Sequence, residues 1–133
     1  MDGAHNPEGA RALAAYVAGL PPAKTVLLTG IMQDKAWREI VDAFCGFADD
    51  AVTVAPDNKR ALPPESLRDT FIEHGVSAVS APTLEEGWRM AREMAGENGR
   101  VVTAGSLYLV GALRSLVVGH EADGGVPGAL ALG

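Results

Sequence analysis

Short uncharged runs alternate with helix-length amphipathic stretches along this chain, and that alternation restricts it to a sheet layered with helices. Thr25-Val26-Leu27-Leu28-Thr29 reads as a fully buried strand, and Ala51–Ala55, Val76–Ala81 and Val101–Ala104 read as three more. Between them, apolar residues fall on one helical face. Ala10, Leu13, Ala14 and Val17 define a first helix, and Trp37, Ile40, Val41 and Phe44 a second. Leu67 and Phe71 mark a third that ends at His74-Gly75, and Leu84, Trp88 and Ala91 a fourth. The boundary residues agree with this division. Asn6 suits an N-cap before Pro7, Asp34 can cap the second helix, and Thr83 with Glu86 spells a capping box. Ser106 precedes a last helix that runs to about Val118. Strands and helices in this order imply an α/β, Rossmann-like, three-layer domain with a mostly parallel sheet covered on both faces.

At 133 residues the chain fits one domain, expected over residues 1–120. Residues 121–133, with Asp123-Gly124-Gly125-Val126-Pro127-Gly128, carry no packing period and are expected as a flexible tail. The first element is a helix, so a strand that should lead into Asp2 is missing from the chain or supplied elsewhere. A hydrophobic fraction of 47% argues against disorder, while 16 glycines and many alanines predict a core of small side chains and closely packed helices. Seventeen acidic and eleven basic residues leave a net charge of −6 without a Lys/Arg stripe, which speaks against nucleic acid as a partner. No apolar run approaches the roughly 20 residues of a membrane span, and no basic-then-apolar leader opens the sequence, so the expected location is the cytoplasm. The single cysteine, Cys45, falls in a predicted helix and is expected as a buried thiol rather than a nucleophile.

Chemistry is expected at the carboxyl ends of the strands, which parallel topology gathers along one edge. The polar stretches there are Asp2 to Asn6, Gly30 to Lys35, Asp57 to Arg60, and Gly105-Ser106. Asp2 and His5 sit just ahead of a helix N-terminus, a common place for anions and nucleotides. Asp2 can accept two ribose hydroxyls or act as a local turn former, and His5 can serve the site or be a partly buried polar residue. Ser106 can offer its hydroxyl, with the free N–H groups of the following helix, to a carboxylate, or it can simply cap that helix. Lys35 can meet an anion or stand in solvent. Neither G-x-G-x-x-G nor G-x-x-x-x-G-K-[ST] occurs, so no phosphate loop is present by motif. His5, His74 and His120 do not fall into a metal-ligand spacing with Cys45, so no metal site is expected. Gly105-Ser106-Leu107-Tyr108-Leu109 misses the G-x-S-x-G nucleophile pattern.

Four blocks in order resemble the C-terminal domain of the Mur ligase superfamily, specifically that of folylpolyglutamate synthase and dihydrofolate synthase. Asp2-Gly3-Ala4-His5-Asn6-Pro7 resembles the D-G-A-H-N-P box, and Gly30-Ile31-Met32-Gln33-Asp34-Lys35 resembles G-x-M-x-D-K. Arg60-Ala61-Leu62-Pro63 resembles the R-A-L-P loop, and the stretch from Thr103 to Gly111 resembles T-G-S-L-Y-L-V-G. The departures are Ala104 where glycine is usual and Ala36 where the family often has an acid. The resemblance implies a Mur ligase C-terminal fold and an ATP-dependent carboxylate–amine ligase, in which a folate or pteroate carboxylate becomes an acyl phosphate and L-glutamate attacks it. It implies ATP and magnesium as cofactors, with the magnesium ligands, the P-loop and the folate loop on a central domain that would be this chain's partner. By the same resemblance Asp2 faces the adenosine ribose, His5 serves the nucleotide and amino-acid end of the site, and Ser106 belongs to the glutamate-binding region. None of the three is a proton-transfer base, and the chain alone is expected to be inactive. The alternative is a free-standing Rossmann-like domain that binds a nucleotide or a protein without catalysis.

Overall fold

The computed structural model describes residues 5–106, 109–114 and 129–131. Strand β1 (Thr25–Thr29) is buried at all five positions, as a strand with neighbours on both sides and layers on both faces must be. β2 (Asp50–Thr53) flanks it on one side with β3 (Ser77–Ser80) beyond, and β4 (Arg100–Ala104) flanks it on the other with β5 (Ala129–Ala131) beyond. The order is β3-β2-β1-β4-β5, and every pairing is parallel.

Alternation along the strands divides the core in two. Leu27, Ala51, Val102 and Ala104 pack with α1 (Pro7–Ala18), α2 (Trp37–Phe44) and α3 (Pro64–Glu73). Val26, Leu28, Val52 and Val101 pack with α4 (Leu84–Ala95) and with Leu109 and Leu113 of a helical stretch over residues 109–114. The expected three layers result, with Phe44 and Phe71, both fully buried, on the α1–α3 side and the buried Trp88 on the α4 side. The small-residue core also follows the sequence. A Cβ on Gly87 of α4 would stand 2.7 Å from a Val54 methyl, so the helix lies close on the sheet.

Helix starts follow local chemistry in two cases and depart from it in a third. Asn6 Oδ1 accepts a hydrogen bond from Gly9 N at 2.8 Å, and Thr83 Oγ1 accepts one from Glu86 N at 3.1 Å. The Glu86 carboxylate turns to Arg89 instead of completing a capping box. Asp34 does not cap α2: that helix begins after Ala36 with no side-chain cap, and the Asp34 carboxylate is taken by Arg60.

The segment read from the sequence as a flexible tail contributes β5, whose pairing runs from Val101↔Ala129 to Thr103↔Ala131. Three residues are too few to show a packing period, and backbone hydrogen bonding to β4 asks for none. The rest of residues 115–133 lies outside the described residues, as does the expected helix beyond 114.

Candidate functional site

After β1 the chain moves outward to β2 and β3, then returns across α4 to place β4 on the far side of β1. The strand order therefore reverses between β1 and β4, the point at which open parallel sheets leave a crevice beyond the strand ends. A cleft of about 190 Å³ lies there, lined by His5, Met32, Asp34, Lys35, Arg60, Gly105 and Ser106. All four strand-end stretches singled out in the sequence contribute to it. Asp2 lies outside the described residues.

The floor depends on two glycines. Gly105, at the end of β4, has φ +114°, and a Cβ there would stand 2.6 Å from Thr29 Oγ1 and 3.0 Å from the Gly30 carbonyl. A Cβ on Gly30 would come within 2.5 Å of the Val54 carbonyl. These close approaches bring the loops after β1, β2 and β4 together. Thr29 Oγ1 donates to the Ala104 carbonyl at 2.8 Å, a further tie between β1 and β4. The Ala104 side chain, where the family usually has none, is fully buried in the α1–α3 core and stays out of the cleft.

Two of the loops form a clamp. Gln33 N donates to the Arg60 carbonyl at 2.6 Å, Leu62 N to the Ile31 carbonyl at 2.9 Å, and Gln33 Nε2 to the Ala61 carbonyl at 3.2 Å. Met32 and Ala61 form an isolated antiparallel bridge. Above this backbone tie, Arg60 Nη1 meets Asp34 Oδ2 at 2.6 Å, with side chains 59% and 43% exposed. Lys35 is exposed beside them. The sequence reading placed Arg60 at this edge but gave it no site role, and it read Asp34 as a cap. The signal for both was the parallel topology, which sets the loop after β2 beside the loop after β1.

His5 stands at the entrance to α1, where Nδ1 is buried and finds no hydrogen-bond partner among the described residues. A buried ring nitrogen without a partner is costly in a protein alone and fits a position completed by a ligand. Ser106 is 2% exposed, and its Oγ accepts from Leu109 N at 3.4 Å while its carbonyl accepts from Val110 N at 3.0 Å. It therefore starts the 109–114 helix and lines the cleft at once. Two cations, an uncompensated imidazole nitrogen and a helix start suit an anionic ligand bearing phosphate or carboxylate. Among the described residues no three His, Cys, Asp or Glu side chains gather to hold a metal ion.

Cys45 lies elsewhere, at the carboxyl end of α2. Burial, with the Asp42 carboxylate adding to it, pushes its thiol up from about 9 to about 11, so the nucleophilic thiolate is scarce near neutral pH. No helix among the described residues is long and apolar enough to cross a membrane.

Fold and cleft together define a doubly wound α/β domain with a cleft at the sheet's topological switch. Residues 1–107 match the family model described as Mur ligase, glutamate ligase domain, and the chain belongs to that family. It is 28% identical over 125 residues to folylpolyglutamate synthase of Lacticaseibacillus casei, covering 91% of this chain and 27% of that enzyme. It is 31% identical over 121 residues to a probable bifunctional folylpolyglutamate synthase/dihydropteroate synthase of Haloferax volcanii, covering 86% of this chain and 14% of that protein. Among solved structures it resembles Mycobacterium tuberculosis folylpolyglutamate synthase complexed with ADP and AMPPCP, at 28% identity and a TM-score of 0.76, over 84% of this chain and 28% of that one. The chain thus spans about a quarter or less of the length of these relatives.

Proposed function

We propose that the chain serves as the C-terminal domain of an ATP-dependent folylpolyglutamate or dihydrofolate synthase and forms the nucleotide- and glutamate-contacting wall of its active site. The observation that carries this reading is the convergence of the four motif blocks on one cationic cleft at the switch point. ATP, with magnesium held by residues outside this sequence, would activate a folate or pteroate carboxylate as an acyl phosphate for attack by the amine of L-glutamate. The part left to this chain is binding and enclosure. Asp2 would accept the ribose hydroxyls, His5 would meet the nucleotide and amino-acid end, and Ser106 with the adjacent helix start would receive a glutamate carboxylate. Lys35 and Arg60 would add positive charge at the mouth. Closing this wall against a central P-loop domain would keep water from the acyl phosphate.

A phosphate-release assay tests the division of labour. With ATP, magnesium, a reduced folate and L-glutamate, the purified chain should release no phosphate above background, and a protein joining it to a P-loop domain should do so only with glutamate present. Release by the chain alone that follows it through purification would overturn the reading. Glutamate-independent release by the joined protein would favour a free-standing binding domain.

A further inference from the structure

The ion pair at the mouth of the cleft is redundant for holding the two loops. The Gln33–Arg60, Leu62–Ile31 and Gln33–Ala61 hydrogen bonds already tie them, and Arg60 N is separately fixed by Asn58 Oδ1 at 2.9 Å. A pair this exposed contributes little to stability and is easily exchanged. Yet Asp34 is the one carboxylate lining the cleft, among the described residues, and it is adjacent in sequence to one of the cleft's two cations, Lys35, and paired with the other, Arg60. A guanidinium has five donors, and this contact engages a single nitrogen.

We propose that Asp34 is a placeholder counter-ion: it holds the Arg60 guanidinium over the cleft until an anionic ligand arrives, and a ligand carboxylate then takes its place. The inference rests on the proposed function for the identity of that ligand as a glutamate-type dicarboxylate, and on the geometry alone for the exchange. A carboxylate that competes with the ligand lowers affinity while keeping the receptor cation from collapsing onto other partners. The sign is the useful part. A merely structural aspartate, when neutralised, weakens binding or the fold, whereas a placeholder, when neutralised, strengthens binding.

The experiment is a titration of the whole chain with glutarate, L-glutamate and acetate at low ionic strength, read on the Arg60 side-chain Nε–H resonance. Asp34→Asn should bind glutarate about three- to fivefold more tightly than the parent chain, the equivalent of up to about 1 kcal/mol, with an unchanged melting midpoint. Asp34→Glu should return to the parent affinity. Weaker or equal binding in Asp34→Asn overturns the proposal, and so does an Arg60 signal that responds to no anion in either chain. Equal preference for glutarate and L-glutamate, with the gain in Asp34→Asn intact, supports the placeholder while counting against the glutamate reading of the site.

Discussion

On α4, Arg89 meets Glu86 at 2.8 Å and Glu93 at 3.0 Å, partners three and four residues away on the same helix. At the cleft, Arg60 reaches Asp34 across 26 residues of sequence, from the loop after β2 to the loop after β1. Distances are alike and exposure is similar, but the consequences differ. Each partner in the α4 trio lies about one turn from Arg89, and the trio would form on an isolated helix. The cleft pair exists only because parallel strands bring two loops side by side, and its members line a cleft shared by several loops, whereas the hollow of about 670 Å³ beside the α4 trio is lined, among the described residues, by α4 alone. Neither a short ion-pair distance nor a neighbouring hollow therefore identifies a site; what the pair joins does.

That contrast can be broken first at the backbone that creates it. Gly105→Ala would force a side chain into a positive-φ position and against Thr29 Oγ1 and the Gly30 carbonyl, so it should lower unfolding free energy by about 2–4 kcal/mol. Chemical denaturation reads this directly. A change within error would mean that the close approach of the β1 and β4 ends is not what builds the cleft. The smallest expected effect lies on the other side of the comparison: Arg89→Ala should leave both the melting midpoint and the titration of Arg60 by glutarate unmoved, because its partners are solvent-exposed and local. A clear change in Arg60 titration would show that the two charge clusters communicate.

How far the sequence could be read tracks how local each determinant is. Thr25–Thr29 was legible to the residue because burial on both faces leaves an unbroken apolar run, with threonines whose hydroxyls find backbone carbonyls, as Thr29 does at Ala104. The helix faces were legible from period alone, as Ala10, Leu13 and Val17 show. Asp34 was misread because capping propensity concerns the next three residues, while its actual partner comes from another loop. β5 left no mark because a three-residue strand takes its stability from the neighbour's backbone. At the candidate site, the motif blocks fall along one edge of the sheet, where His5 and Ser106 line the same cleft. The clamp between residues 31–33 and 60–62, which sets Arg60 over the cleft, follows from tertiary pairing and could not be spelled out by either loop.

The central claim is that this cleft divides its work between nucleotide and glutamate, and steady-state kinetics of a joined enzyme that carries this domain tests it most directly. Removing a hydrogen bond to a charged ligand costs about 1.5–3 kcal/mol, or roughly ten- to a hundredfold in a binding constant. Ser106→Ala should raise the KM for L-glutamate by up to that factor with the KM for ATP little changed, and Asp2→Ala should do the reverse. If both variants instead keep the parent kinetics and only melt earlier, these residues are helix-start and turn formers, and the cleft is not the binding wall described.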